Sequence, residues 1–279
     1  MTMFPNPLKS KLQRGDNSFG LFAFEFFTPG LAQVAKEAGA EFILFDMEHS
    51  GAGIDVMKQQ IAYCRGLDVA PLVRVPTNQY NFVARALDAG AHGVMVPMVE
   101  TADQARDIVR WSQYPPKGRR GAVLGAAHDG YTGGNAREKL QALNERCLVM
   151  LQVETEIGVT NVEQIAGVPG VDSICIGFLD LSNFLGVPGE TQHPTYLAAV
   201  SESPRPRRST RRSSEPRRRM RRSHVSTSRA VSSSSASARM SSCCSRRCRS
   251  GSRRCEATAS RTRDGRRVIS AERHGTATQ

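Results

Sequence analysis

Short apolar runs recur along the first 176 residues and alternate with longer segments of helical spacing. The runs have five to seven residues, the length of a typical strand, and they cover residues 20–26, 41–46, 70–75, 93–97, 147–153 and 171–176. Apolar positions with a helical period fill residues 29–39, 54–65, 78–88, 137–146 and 161–166. A further helix is predicted to begin at Thr101, which forms a capping box with Gln104. The pattern therefore predicts six strand-helix units.

Nearly continuous apolar strands separated by helices predict a parallel sheet that is covered on both faces. An open doubly wound sheet and an eight-stranded barrel both fit this description. No Gly-x-Gly-x-x-Gly motif follows the first run, which disfavours a dinucleotide-binding open sheet. Polar residues follow the ends of successive runs, as active-site residues do in barrel enzymes: Glu25, Asp46, Glu48, His49, Arg74, Gln152, Glu154 and Asp180. We therefore predict an α/β fold of the (β/α)₈ TIM-barrel type, incomplete at about six units.

Composition changes abruptly near residue 201. Residues 201–279 contain 22 Arg and 20 Ser but no Lys, Leu or aromatic residue, so they cannot bury enough apolar surface to offset the entropy of folding. We expect a partial barrel over residues 1–200 and a disordered Arg/Ser-rich tail over residues 201–279. The loss of Lys and Leu together with all periodicity suggests that the tail is translated out of frame.

Charge follows the same division. The whole chain carries +12, but with only five acidic residues the tail carries +17, which leaves −5 for the first 200 residues. The folded part is therefore not a basic nucleic-acid-binding domain, whereas the tail should bind polyanions nonspecifically. The start of the chain has no signal-peptide pattern and no apolar segment is long enough to span a membrane, so a cytoplasmic location is expected. The seven Cys lack paired ligand spacing, which disfavours a disulfide framework or a zinc site.

Two carboxylates are candidates for a metal site. Glu154 and Asp180 follow neighbouring predicted strands, where they could share one hard divalent cation such as Mg²⁺ or Mn²⁺. Spacing alone favours a simpler interpretation, in which Asp180 caps a helix and Glu154 pairs with a surface arginine. Both interpretations stay open at this point.

Two further residues are candidates for acid-base or anion-binding chemistry. His49 could act as a base near neutral pH if a carboxylate fixes its tautomer, although a single histidine after a strand is more often structural. Arg74 ends an apolar strand, and a guanidinium inside a barrel has to meet an anion.

Six motifs together resemble, in order, those of the HpcH/HpaI family of metal-dependent class II pyruvate aldolases. They are FDMEHS at 45–50, PLVRVP at 71–76, ALDAGAHGVMVPMV at 86–99, YPPKGRRG at 114–121, LQVET at 151–155 and GFLDLS at 177–182. The resemblance implies a (β/α)₈ barrel, usually hexameric, that cleaves or forms 4-hydroxy-2-oxo acids. The partners would then be a small 2-oxo acid, pyruvate, and an aldehyde.

The resemblance also implies where pyruvate and its metal bind. Glu154 and Asp180 would ligate Mg²⁺, Mn²⁺ or Co²⁺. Gln152 and the backbone at Leu179 and Asp180 would hold pyruvate.

Three residues would then carry the chemistry. By the same resemblance, His49 would be the base, Asp88 would assist it, and Arg74 would stabilise the enolate. We expect the Gly-rich segment 119–135, together with a neighbouring subunit, to shape the aldehyde pocket.

Two features depart from the family pattern. Phe178 stands where the family usually has proline, and it could crowd the pyruvate pocket. From about Ser201 the resemblance stops, which suggests a frameshift. Two other functions remain as alternatives: an acyl-CoA lyase of the same superfamily, and nucleic-acid binding through the basic tail.

Overall fold

A computed structural model describes residues 6–202, 256–261 and 267–272. The chain divides into two compact units, Met1–Ala230 and Val231–Gln279. The candidate site residues all belong to the first unit.

The first unit is built on one sheet of six parallel strands in sequential order. The strands are β1 (Gly20–Ala23), β2 (Phe42–Asp46), β3 (Ala70–Arg74), β4 (Gly93–Val96), β5 (Leu148–Val153) and β6 (Ser173–Ile176). Every pair of neighbours is parallel. The sheet curls into part of a barrel, which confirms the incomplete TIM-barrel fold and the six predicted strands.

Helices precede, connect and follow the six strands. They are α1 (Pro7–Gln13), α2 (Leu31–Glu37), α3 (Ile54–Tyr63), α4 (Tyr80–Asp88), α5 (Ala102–Ser112), α6 (Ala136–Arg146), α7 (Glu156–Thr160), α8 (Val162–Ala166), α9 (Phe178–Phe184) and α10 (Pro194–Glu202). The capping box at the start of α5 is confirmed, because the Thr101 hydroxyl accepts from the Gln104 N–H and the Gln104 side-chain oxygen accepts from the Thr101 N–H. The helix predicted over 161–166 corresponds to α8, and a further short helix, α7, precedes it.

Side chains alternate between the two faces of the sheet, and each face has its own apolar layer. One face packs against the helices through a large buried cluster that includes Ile43, Val73 and Val149. The other face lines the barrel interior, and its smaller cluster comprises Leu8, Phe42, Leu44, Ala70, Leu72, Met95, Leu148 and Met150. Leu8 belongs to α1, so this first helix packs against the interior face.

The two outermost strands are less buried than the rest. Every residue of β2 to β5 is buried, whereas β6 is half-buried throughout and β1 is half-buried at three of its four positions. Within residues 6–202, β1 and β6 each pair with a neighbour on one side only.

The second unit contains two antiparallel strands, β7 (Glu256–Arg261) and β8 (Arg267–Glu272). The other residues from 203 onwards lie outside the described residues, and the prediction of a disordered tail falls mainly on them. Within the part of the chain that is described, no helix has the length and apolar character needed to cross a bilayer.

Candidate active site

Strand alternation brings the candidate residues to one end of the barrel interior. Leu44 and Leu72 lie on the inner face, so Asp46 and Arg74, two residues further along β2 and β3, share that face. Gln152 on β5 and Glu154 directly after the strand follow Met150 in the same way. Parallel strands end together, so these side chains meet at the carboxyl end of the sheet.

Arg74 is held on several sides. Its Nε donates to Asp46 Oδ1 at 2.7 Å and its Nη2 to Asp46 Oδ2 at 2.9 Å. Its Nη1 lies 3.4 Å from Gln152 Oε1 and 3.0 Å from Glu48 Oε2. The Phe22 ring covers the face of the guanidinium, with its centroid 4.8 Å from Cζ. Burial lowers the pKa of Arg74, but the hydrogen bond and charge of Asp46 and the charge of Glu48 outweigh this and raise it, so Arg74 remains a cation.

Glu154 is almost completely buried and does not pair with a surface arginine. Its Oε1 accepts from the Met98 N–H at 2.8 Å, and its Oε2 accepts from the Gln152 amide. Gly177 leaves space beside this carboxylate, because a Cβ at that position would overlap Glu154 Oε2. The simpler interpretation from sequence, a surface ion pair, is therefore wrong.

Asp180 lies in the first turn of α9, directly after β6. Gly177 is the N-cap of that helix and no side chain caps it, so Asp180 is not the capping residue. The N–H groups of the first turn, including those of Leu179 and Asp180, have no partner within the helix and are available to an anion. Phe178 is 54% exposed, so its ring points largely to solvent.

Glu48 adds a third carboxylate to this end of the barrel. Its side chain is only 12% exposed, and its Oε2 has no hydrogen bond of good geometry despite its closeness to Arg74. Burial raises its pKa to about 7; Arg74 opposes this, while the charges of Glu154, Asp46 and Asp180 add to it. A surplus of negative charge therefore surrounds Glu48 and Glu154.

His49 lies at the same end of the barrel, but Asp88 does not. The His49 N–H donates to Asp46 Oδ2 at 3.1 Å, and its Nε2 is 3.7 Å from Glu48 Oε2, beyond hydrogen-bond distance. Asp88 ends α4, which runs back to the start of β4, and its carboxylate pairs with Arg120 at 2.5 Å. Within one chain, Asp88 is thus at the opposite end of the sheet, and the carboxylate beside His49 is Glu48.

Part of the Gly-rich segment also lies at the opposite end. The Ala127 carbonyl accepts from Arg65, which follows α3, and the His128 carbonyl accepts from Arg146 at the end of α6. Asp129 in this segment pairs with Lys139 at 2.7 Å. Because α3 and α6 end where the next strands begin, residues 127–129 lie away from the candidate site of their own chain. The expected contribution of segment 119–135, together with a neighbouring subunit, to the aldehyde pocket stays a prediction.

Residues 6–202 and the two strands of the second unit hold no group of three or more His, Cys, Asp or Glu side chains arranged for a metal ion. The candidate cation site accordingly has two protein carboxylates, Glu154 and Asp180. Such a site leaves several coordination positions to water and substrate, as Mg²⁺ sites commonly do.

The sequence did not identify three residues of the candidate site. Asp46 and Glu48 appear there only as polar residues at a strand end, and their contacts with Arg74 show that they belong to the site. Met98 contributes through its backbone, which no side-chain pattern reveals. Its φ of +55 is unusual for a residue other than glycine.

Comparisons with known proteins agree with this architecture. The family model described as HpcH/HpaI aldolase/citrate lyase matches residues 19–208. A hydroxypyruvate/pyruvate aldolase of Paraburkholderia phytofirmans is 38% identical over 207 residues, which cover 72% of this chain and 78% of that protein. A 5-keto-4-deoxy-D-glucarate aldolase of Klebsiella pneumoniae is 33% identical over 198 residues, or 71% of this chain and 76% of that protein. These relatives are aldolases, a class of carbon-carbon lyases.

Solved structures show the same relationship. An HpcH/HpaI aldolase from Desulfitobacterium hafniense superimposes with a TM-score of 0.67 at 32% identity, over 72% of this chain and 77% of that one. The citrate synthase SbnG superimposes with a TM-score of 0.62 at 28% identity, over 70% and 75% of the two chains. The six ordered motifs, the curled parallel sheet and these matches agree, and the chain belongs to the HpcH/HpaI aldolase/citrate lyase family.

Proposed function

We propose that this protein is a divalent-metal-dependent aldolase that cleaves or forms 4-hydroxy-2-oxo acids through a pyruvate enolate. The observation that carries the proposal is the position of the buried Arg74 cation beside a cluster of carboxylates at the carboxyl end of the sheet. This arrangement offers one fixed positive group for a developing oxyanion and a negative site for a metal cation.

The carboxylates suit a hard divalent cation. Glu154 has the space beside it that Gly177 provides, Asp180 does not serve as a helix cap, and the Glu48 oxygen lacks a good hydrogen bond. In our proposal Glu154 and Asp180 hold Mg²⁺, Mn²⁺ or Co²⁺. When bound, the cation would accept the keto and carboxylate oxygens of pyruvate and make its C3 protons more acidic.

The remaining groups bind and orient pyruvate. Gln152 lies between Arg74 and Glu154, so its amide can reach a ligand oxygen beside both. The N–H groups of Leu179 and Asp180 would receive the carboxylate of pyruvate. Arg74, fixed by Asp46, would stabilise negative charge on the enolate oxygen without having to reorganise.

His49 is the proposed base for the C4 hydroxyl in the cleavage direction. Its side chain is 57% exposed, so an aldehyde half of the substrate can reach it. The structure does not support assistance by Asp88 within the same chain, because that carboxylate pairs with Arg120 at the other end of the sheet. If Asp88 contributes, it must do so from a neighbouring subunit, which would require the homo-oligomer that the resemblance implies.

The direct test is a retro-aldol assay. A chain with its reading frame restored after residue 200 would be incubated with a range of 4-hydroxy-2-oxo acids and with Mg²⁺, Mn²⁺ or Co²⁺, and released pyruvate would be measured. We expect metal-dependent pyruvate release from at least one substrate. No pyruvate from any substrate would exclude the aldolase function.

Variants separate the proposed roles. Glu154→Ala and Asp180→Ala should abolish metal binding and turnover together. His49→Ala should keep metal affinity and lower turnover by about 10²- to 10⁴-fold, the usual contribution of a general base. Equal loss of metal binding in all three variants would contradict these assignments.

The alternatives give different results in the same experiments. An acyl-CoA lyase would release an acyl-CoA product and would not produce pyruvate. A nucleic-acid-binding function would reside in residues 201–279, whose charge predicts salt-sensitive binding to any polyanion. Translation of the coding DNA in all three frames after codon 200 tests the proposed boundary between the partial barrel and the tail, because a frameshift predicts a strand-helix-strand sequence in another frame.

A further inference from the structure

Glu154 depends on a backbone group from a different loop. Its Oε1 accepts from the N–H of Met98, which lies in the connection between β4 and α5. A displacement of that connection would therefore move or release the buried carboxylate.

Met98 has an unfavourable backbone conformation for its residue type. Its φ of +55 lies in the left-handed region, which is unfavourable for a residue with a Cβ. Its side chain is 41% exposed and cannot supply much packing energy to compensate. Contacts of the neighbouring residues must hold the backbone in this conformation.

Those contacts come from the connection that follows β5. The Thr155 hydroxyl donates to Glu100 Oε1 at 2.8 Å, and the Asn161 amide donates to the Glu100 carbonyl at 2.9 Å. The Val99 N–H donates to the Gln152 carbonyl at 3.1 Å. The segment just after Met98 is thus attached at three points to the part of the chain that carries Glu154.

The packing between the two connections leaves little room for adjustment. A Cβ at Gly158 would lie 2.7 Å from the Val99 carbonyl, so α7 lies directly against the backbone beside Met98. Thr155 also accepts from the Gly158 N–H at 3.0 Å and is only 6% exposed, which fixes the direction of its hydroxyl toward Glu100.

We propose that Glu100 and Thr155 are positioning residues for Glu154. Their hydrogen bond holds the β4–α5 connection against the β5–α7 connection, and this keeps the Met98 N–H on the Glu154 carboxylate. The inference rests on the proposed role of Glu154 as a metal ligand. Partners that orient a ligand in this way typically change metal affinity by about 10- to 100-fold when they are removed.

The test compares two pairs of variants in the full 279-residue chain, with Mn²⁺ binding measured by electron paramagnetic resonance. Glu100→Ala and Thr155→Val remove the contact, whereas Glu100→Gln and Thr155→Ser keep an acceptor or a donor in place. We expect the Kd for Mn²⁺ to rise about 10-fold in the first pair and to stay within about 2-fold of the unmodified chain in the second. Because Glu100→Gln also removes the charge, it separates hydrogen bonding from electrostatics.

Folding and the metal site itself need separate controls. Fluorescence of Trp111, the single tryptophan, reports unfolding of each variant. Thr160→Val is the control for the loss of a threonine hydroxyl, because the exposed Thr160 hydroxyl donates to the Glu156 carbonyl. Unchanged Mn²⁺ affinity in folded Glu100→Ala or Thr155→Val, with affinity lost in Glu154→Ala, would overturn this inference alone. Unchanged affinity in Glu154→Ala would overturn the proposed metal site instead.

Discussion

Asp46 holds Arg74 through a two-point ion pair, with the carboxylate oxygens 2.7 and 2.9 Å from Nε and Nη2. The same carboxylate accepts from the Glu48 and His49 N–H groups at 3.0 and 3.1 Å. One fully buried side chain thus fixes both the guanidinium on β3 and the segment after β2 that carries the proposed base.

Asp46→Asn should weaken both functions of this carboxylate. Removal of one partner leaves Arg74 as a buried and poorly compensated charge, so the free energy of unfolding should fall by about 3 kcal/mol. Chemical denaturation followed by Trp111 fluorescence measures this loss. The fold-decrease in kcat should be larger than the fold-change in KM for the substrate. An exposed pair gives the control, since Asp103→Asn next to Arg106 should change stability by less than about 1 kcal/mol.

Arg74→Lys should be nearly as damaging to turnover as Arg74→Ala. The guanidinium engages Asp46 at two points and faces Gln152 with a third nitrogen, and an ammonium group cannot reproduce this planar arrangement. Steady-state kinetics on the frame-restored chain would show the effect. Full turnover in the lysine variant would remove Arg74 from enolate stabilisation.

Gly177→Ala should damage the metal site by steric overlap alone. The added methyl group would overlap Glu154 Oε2, while the φ of −76 at this position is accessible to alanine. We expect loss of metal affinity and destabilisation by about 1–3 kcal/mol, the usual cost of overpacking. Gly133→Ala is the matched control because nothing lies within 4 Å of its Cβ position. Wild-type Mn²⁺ affinity in the Gly177 variant would show that the Glu154 carboxylate is not confined as described.

Glu48 should make the stability of the metal-free protein depend on pH. Its pKa rises from 4.5 to about 7 on folding, chiefly through burial, so the folded state binds this proton more tightly than the unfolded state. The stabilising contribution is therefore complete below pH 4.5 and is lost as the pH rises to about 7. Denaturation curves at several pH values should show this fall, and Glu48→Gln should reduce it. A curve for Glu48→Gln that is parallel to that of the unmodified chain would refute the assignment.

The unpaired edges of the six-stranded sheet should promote association of the chain as written. Within residues 6–202, β6 is half-buried throughout and β1 at three of its four positions, and the apolar side chains of Phe178, Phe184 and Leu197 after β6 are 46–54% exposed. We expect assemblies that grow with protein concentration, together with little aldolase activity. Sedimentation velocity across a concentration series measures the association. A single active species of defined size would contradict the expectation, and the frame-restored chain is the comparison.

Local pattern was sufficient for the fold of the first 200 residues. Nearly continuous apolar runs predicted buried parallel strands, and polar residues at the ends of successive runs, among them Asp46, Arg74 and Gln152, predicted chemistry at the carboxyl end of the sheet. The break in composition near residue 201 and the resemblance of the six motifs were also readable from residue types alone. These properties depend on neighbours two to four positions apart, which sequence displays directly.

Relationships between distant segments were decided only by the tertiary structure. The resemblance implied that Asp88 assists His49, but a helix that follows each strand returns the chain to the other end of the sheet, so α4 ends far from the site. The same geometry carries residues 127–129 of the Gly-rich segment to the opposite end as well. Glu154 is held by a backbone N–H from another loop, and such a contact has no side-chain signature. Sequence thus determined which residues end the buried strands, because apolar runs and the polar residues after them are local patterns, whereas the path of the chain between strands determined which of these residues meet.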